Sequence, residues 1–230
     1  MSAKPKGSYA VMAERVSAPD ALDDFPTPPW ATRALLVHVL PRLAPPEPYR
    51  LWTVWEPACG RGTMSMVLAE KFANVYPSDV HDYGAAPFAE VGSFVGEGCD
   101  KIVPPPNGVD WIITNPPFKL ALEFAERALA EARVGVALLC RLAFMETAAR
   151  HKLFERDPYF AVCPFVERVP MVEGRWDQDA STATAYAWFV WTRPACPGRA
   201  PVVWPIPPGC RKSLTLIDDV ARFAACVDQT

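Results

Sequence analysis

The sequence predicts an α/β fold: a seven-stranded mixed sheet with helices on both faces and an antiparallel last strand. Three stretches of the 230 residues carry that expectation. Residues 51–55 alternate apolar and β-prone side chains. They lead through Gly60-Arg61-Gly62 into an amphipathic run over 63–72, the first half of a strand–helix–strand unit. Residues 109–114 form a short apolar run after Gly108, stopped by Pro116 and Pro117, whose missing N–H and fixed φ end a strand. Residues 159–169 and 182–192 are both β-prone with only a polar loop between them. Strands joined without a crossover helix pair antiparallel.

The other elements follow in order. Residues 1–22 are polar, with Pro5, Gly7 and Pro19, and read as a flexible arm. Pro28 and Pro29 suit the first turn of a helix with Thr27 as its N-cap; the helix covers 31–40 and closes at Pro41. Residues 44–50 are a Pro-rich linker. The second strand spans 74–80 and ends in an acid, Asp79. Residues 84–108 are weakly patterned and rich in Gly and Pro. Leu120, Leu122, Phe124, Ala125, Ala128 and Leu129 recur at helical spacing within 119–132. A strand over 135–140 is followed by Arg141 and a helix over about 147–155. Residues 194–212 read as irregular, and 216–227 as a closing helix.

Composition narrows the classes. Half of the residues are hydrophobic, yet no apolar run approaches the roughly 18–20 residues that span a bilayer. The N-terminus lacks the apolar core of a signal peptide. The seven cysteines are scattered without a Cys-x-x-Cys pair, and His38, His81 and His151 are isolated. This argues for a reducing cytoplasm and against a metal site. The net charge of −3 speaks against a strong stand-alone nucleic-acid binder, although a local basic patch remains compatible with it.

Two places offer chemistry. Asn115 stands at the carboxyl end of a buried strand, the ligand edge of an open α/β sheet. Its amide oxygen and a neighbouring backbone carbonyl can both accept from an –NH₂ group, while Phe118 can stack on the plane that carries it. At the other place, Gly60 and Gly62 let the backbone approach a ligand ahead of a helix N-terminus with free N–H groups. Asp79, at the tip of the second strand, is placed to accept from two ribose hydroxyls. Ser65 stands where the third glycine of a Gly-x-Gly-x-x-Gly dinucleotide turn would fall.

Asn115-Pro116-Pro117-Phe118 resembles the catalytic motif of S-adenosylmethionine-dependent amino-methyltransferases, above all DNA adenine-N6 enzymes of the small orphan or phage-like type. Glu56-Pro57-Ala58-Cys59-Gly60-Arg61-Gly62, about fifty residues upstream, resembles their cofactor motif. The resemblance covers roughly 23–192. It implies a Rossmann-like class I methyltransferase domain over 23–230, with a cofactor half (about 23–108), a catalytic half (about 109–193) and a C-terminal extension (194–230). It assigns catalysis to Asn115, Pro116, Pro117 and Phe118. It assigns cofactor contacts to Glu56, Pro57, Ala58, Cys59, Gly60, Gly62, Asp79 and Val80. Phe25-Pro26-Thr27-Pro28 resembles the segment that touches the methionine end of the cofactor in one permuted class, which adds Phe25, Thr27 and Pro28. Similar enzymes carry Asp-Phe at the end of the third strand; Ser93-Phe94 is the nearest match here.

The implied reaction is direct S_N2 methyl transfer to the adenine N6 amino group in DNA after base flipping, without a metal. No Pro-Cys dipeptide occurs, as cytosine-C5 chemistry would need. Related motifs also serve RNA bases and protein glutamine-N5, and a non-catalytic cofactor-binding subunit is the alternative outside enzymes. Arg141 either shapes the target pocket or pairs with Glu146. Arg168, Arg175 and Trp176 form a basic and aromatic set in the 167–181 loop, suited to phosphates and bases. No long insertion supplies a target-recognition domain, so recognition falls to that loop, the N-terminal arm, a second copy or a partner subunit.

Overall fold

The computed structural model describes residues 23–43, 49–84, 89–99, 102, 104–105, 107–157, 160–193 and 201–223. The expected arm at 1–22 lies outside them. The chain opens with α1 (Pro29–Ala34), which runs through a π turn (Leu35–Val39) into α2 (Leu40–Leu43). Then follow β1 (Thr53–Glu56), α3 (Thr63–Leu68), β2 (Asn74–Asp79), β3 (Glu90–Val91), β4 (Trp111–Thr114), α4 (Ala121–Glu131) and β5 (Gly135–Arg141). The C-terminal part holds α5 (Ala148–Arg156), β6 (Phe160–Pro164), β7 (Tyr186–Thr192), β8 (Val202–Val203), α6 (Cys210–Leu214) and α7 (Asp219–Phe223).

The strands form one sheet in the order β3-β2-β1-β4-β5-β7-β6-β8. β7 is antiparallel to both β5 and β6; the other pairings are parallel. Side-chain alternation sends Val54, Trp111, Ile113, Ala137, Leu139 and Trp188 into one core, against α1, its π turn and α3. Trp55, Ile112, Val136, Leu138, Phe189 and Trp191 enter the other, against α4 and α5. Both faces are covered, which explains why the strands read as continuous apolar runs. Gly135 is required by packing: a Cβ there would lie 2.5 Å from the Trp111 ring and 2.7 Å from the Trp191 carbonyl.

The chain goes outward from β1 through β2 to β3, then returns to place β4 on the other side of β1. The carboxyl ends of β1 and β4 therefore flank a topological switch point, where open α/β sheets bind ligands.

The structure corrects several boundaries. Pro41 does not end its helix. The π turn just before it, closed by the Leu40 N–H on the Leu35 carbonyl, loosens the ladder where the proline ring would otherwise clash. Thr27 is not the N-cap; Pro28 holds that position without a side-chain cap, its carbonyl accepting from the Ala31 N–H at 2.9 Å. The sheet has eight strands rather than seven, because Val202 and Val203 pair with β6 inside the segment expected to be irregular. A two-residue exposed strand leaves no periodicity to read. β7 begins at Tyr186 rather than Thr182, since Thr182 caps a local turn by accepting from the Thr184 N–H. β6 ends at Pro164. The closing helix begins at Asp219, whose carboxylate accepts from the Leu216 N–H at 2.8 Å.

Asp219 also anchors the C-terminal segment. Arg33 holds it through Nη1–Oδ2 at 2.6 Å and Nη2–Oδ1 at 2.7 Å, and reaches Glu70, after α3, at 2.7 and 2.9 Å. Arg222 of α7 also reaches Glu70, at 3.0 Å. Burial opposes the charge on Arg33, but the two carboxylates outweigh it and hold the guanidinium firmly protonated. Among the described residues no helix is long and apolar enough to cross a membrane.

Candidate functional site

A cleft opens at the switch point, with about 860 Å³ of empty space, part of it continuous with solvent. Phe25, Thr27, Glu56, Pro57, Ala58, Cys59, Gly60, Asp79, Val80, Asn115 and Pro117 all line it. Pro28, Gly62, Pro116 and Phe118 stand next to lining residues but outside the wall itself.

Each position follows from its element. Glu56 is the last residue of β1 and Asp79 the last of β2. Between them the turn 57–62 folds back: Gly60 has φ +52° and Gly62 φ +79°, and the Gly62 N–H closes on the Cys59 carbonyl at 2.8 Å. L side chains avoid that region, so both glycines serve the turn itself. A Cβ at Gly60 would meet only Asp24 Oδ1, at 4.0 Å, so the space above the turn is open.

The two acids are held differently. Asp79 accepts from the Gly60 N–H at 2.8 Å through one oxygen and from the His81 N–H at 3.1 Å through the other. Glu56 is 2% exposed and accepts from the Ser65 hydroxyl. Burial, opposed by Ser65 and reinforced by the charge of Asp79, raises the Glu56 carboxyl well above the usual range. Burial also raises Asp79, against the pull of the Gly60 and His81 N–H groups. The Cys59 thiol is pushed up by burial and then by both carboxylates, so it is a packed thiol rather than a nucleophile.

Across the cleft, β4 delivers Asn115. Its Nδ2 donates to the Phe25 carbonyl at 3.2 Å and lies 3.7 Å from the Met171 sulfur. The amide orientation is thereby set, and Oδ1 is left buried without a hydrogen-bond partner. A buried unpaired acceptor costs free energy, and such exceptions point to an absent ligand.

The segment 23–27 binds three parts of the site together. Asp23 accepts from the Phe118 N–H at 3.1 Å, Asp24 pairs with Arg61 at 3.1 Å, and the Asp24 carbonyl accepts from the Gly174 N–H at 2.7 Å. These contacts were not assigned from sequence. The only local signal was two adjacent acids before Phe25-Pro26, which reads equally as a solvated turn. Met171, Leu120 and Phe124 were missed as site residues for a similar reason: their apolar character marks core, not cleft.

The Ser93-Phe94 segment does reach the cleft, with Ser93, Phe94 and Val95 in its wall. Ser93 donates to the Val95 carbonyl, and Arg127 takes the Phe94 carbonyl. The acceptor-target candidates are spread more widely. Arg141 lies over the Phe118 ring, 3.9 Å from its centroid, and is not paired with Glu146. Arg168 and Arg175 are exposed, Arg175 pairing with Asp177 at 3.3 Å. Trp176 is 6% exposed and meets Phe223 edge-on, so its ring belongs to the core rather than the loop surface. Among the described residues no group of three or more His, Cys, Asp or Glu is placed to hold a metal ion.

No protein-family model matches the chain, and no curated protein is similar to it in sequence. Solved structures are similar in fold. A protein of Listeria monocytogenes described as a class I S-adenosylmethionine-dependent methyltransferase matches with a TM-score of 0.53 at 14% identity, over 85% of this chain and 68% of that one. The methyltransferase subunit of a type I restriction-modification system from Streptococcus thermophilus gives a TM-score of 0.53 at 12% identity, over 74% and 44%. The M protein of the type I restriction enzyme EcoKI gives 0.51 at 13%, over 75% and 45%. The chain thus spans less than half the length of those two subunits. At such identities the likeness is one of fold: the α/β, Rossmann-like architecture of class I methyltransferases, here with eight strands.

Proposed function

We propose that this chain transfers a methyl group from S-adenosylmethionine to the N6 amino group of adenine in DNA. The observation that carries the reading is Asn115 Oδ1, a buried acceptor without a donor, oriented by the Phe25 carbonyl and belonging to the same cleft as the glycine turn.

The residues present fit the cofactor. Its net positive charge would meet a wall that carries Asp23, Asp24, Glu56 and Asp79 against Arg61. Asp79, held by backbone N–H groups including those of Gly60 and His81, would accept from the two ribose hydroxyls through its remaining lone pairs. The open space above Gly60 would admit the methionyl part, in a cleft that Phe25 and Thr27 also line. Val80, Ser93 and Val95 would flank the adenine. When bound, the cofactor supplies an electrophilic methyl on a sulfonium.

The chain does the rest. An exocyclic amine is a poor nucleophile because its lone pair is delocalised into the ring. Asn115 Oδ1 and the Pro116 carbonyl would accept its hydrogens, favour the pyramidal form and stabilise positive charge developing at nitrogen. The Pro117 carbonyl is already occupied by the Leu120 N–H at 3.0 Å, and Asp23 holds the Phe118 N–H, so the turn is rigid before the acceptor arrives. Preorganisation of this kind places the amine in line with the methyl. In a duplex that amine is paired, so the base must flip out to reach the cleft.

DNA is favoured by the motif resemblance and by structural neighbours that are modification subunits of restriction enzymes. A protein glutamine amide is the second reading. The net charge of −3 and the burial of Trp176 favour it, since both weaken the case for a stand-alone nucleic-acid surface.

The test is transfer of labelled methyl from S-adenosylmethionine to unmethylated duplex DNA, with RNA and protein acceptors alongside, read by mass spectrometry of the nucleosides and peptides. N6-methyladenine made by the wild type and not by Asn115→Ala is expected. Label in RNA or glutamine would keep the mechanism and move the substrate. Cofactor binding with no transfer to any acceptor would point to a missing partner or to a non-catalytic accessory subunit.

A further inference from the structure

We propose that Arg141 is a displaceable cover on Phe118 that gives up the ring to an incoming base and takes that nucleotide's phosphate instead. The inference rests on reading Asn115–Phe118 as the amine-holding turn, and it names a requirement of that site: an acceptor base that carries a phosphate.

Arg141 ends β5, opposite Tyr186, and its side chain is exposed. Its guanidinium carbon lies over the Phe118 ring, 3.9 Å from the centroid, well inside the roughly 6 Å of a cation–π contact. The other aromatic neighbours do not stack: Phe25 sits at 5.8 Å and 40°, Tyr186 at 6.4 Å and 41°. One face of the Phe118 ring is thus held by a cation, and a planar base cannot share that face with it.

The hold is weak by construction. Arg61, Arg127, Arg133, Arg156 and Arg175 each have a carboxylate partner. Arg141 is in none of the ion pairs found among the described residues, so only the ring and solvent retain it. A base arriving on a sugar–phosphate chain displaces the guanidinium and brings an anion within reach of the same flexible side chain. Arg suits that exchange, because its flat fork both stacks on rings and grips phosphate oxygens. A glutamine side chain would displace the cation without offering it a partner. Arg141 would therefore act as a specificity-determining residue for nucleotide acceptors.

The test uses the full chain with S-adenosylhomocysteine and a fluorescent adenine-containing single-stranded oligonucleotide, with affinity read by anisotropy over a series of NaCl concentrations. Arg141→Gln is expected to weaken binding about tenfold at low salt and to lower the slope of log affinity against log salt by about 0.7, one phosphate contact on a single strand. Arg141→Lys should keep the slope and lose part of the affinity, since charge remains and stacking does not. Unchanged S-adenosylhomocysteine affinity checks that the fold and cofactor site are intact. An unchanged slope in Arg141→Gln, or no oligonucleotide binding by the wild type, overturns the proposal. Transfer to DNA together with an unchanged slope would defeat this inference alone. Transfer to a glutamine peptide and not to nucleic acid would defeat the functional reading beneath it.

Discussion

Replacing Asn115 with alanine should separate activity from stability. In the wild type, Nδ2 makes one hydrogen bond to the Phe25 carbonyl, while Oδ1 is buried without a partner. Losing the first costs about 0.5–1.5 kcal/mol and takes a donor from the Phe25 carbonyl, while removing the second relieves about 1–3 kcal/mol, so the two nearly offset. At roughly 2–4 °C per kcal/mol for a chain of this size, Tm should change little. Catalysis should fall. Losing one preorganised polar contact to the transition state costs about 10²–10³ in kcat, with KM for the cofactor little changed. The assay pairs calorimetry with single-turnover methyl transfer on whichever acceptor the wild type uses. Asn115→Asp refines it: an acceptor remains, but an oxygen now faces the Phe25 carbonyl, so kcat should fall less than in alanine while Tm, little changed in alanine, should fall. Alanine retaining kcat within about threefold would refute the role given to Oδ1. A Tm drop of several degrees would refute the idea that the site stores an unsatisfied acceptor for its ligand.

Cofactor affinity should rise with pH. Glu56 is raised by burial and by Asp79, so the empty site holds a proton above the usual carboxylate range. Binding a cation favours the ionised form and expels that proton. Affinity therefore increases as pH climbs from the ordinary carboxylate range towards the raised value, and levels off above it. Calorimetry in buffers of different ionisation enthalpy would count the proton; Glu56→Gln should abolish the release, and release persisting in that variant would assign it elsewhere. Asp219→Ala leaves Arg33 with Glu70 as its remaining carboxylate and takes the acceptor from the Leu216 N–H, and should cost about 1–3 kcal/mol, seen as a lower urea midpoint. Gly135→Ala drives a Cβ into the Trp111 ring and the Trp191 carbonyl, both held in the core, and should destabilise by about 1–3 kcal/mol in the same assay.

By itself the sequence determined the parts of this protein governed by local rules. The Pro116-Pro117 stop after β4, the glycine turn after β1 and the acid ending β2 are each legible because backbone sterics act over a few residues. The absence of a helix between β6 and β7 made their antiparallel pairing readable in the same way. Those features placed Glu56, Gly60, Asp79 and Asn115 in one cleft once the strand order was known. Other features were decided only by tertiary structure. Pro41 sits inside a helix because a π turn makes room for it, and β8 exists because β6 offers an edge. Trp176 lies in the core because Phe223, 47 positions along the chain, meets it there. The orientation of the Asn115 amide, the cover of Arg141 on Phe118 and the clamp of Asp23 and Asp24 join residues 23 to 150 positions apart. Spacing along the chain carries no trace of such contacts, because their energies depend on distances that exist only after the sheet has assembled.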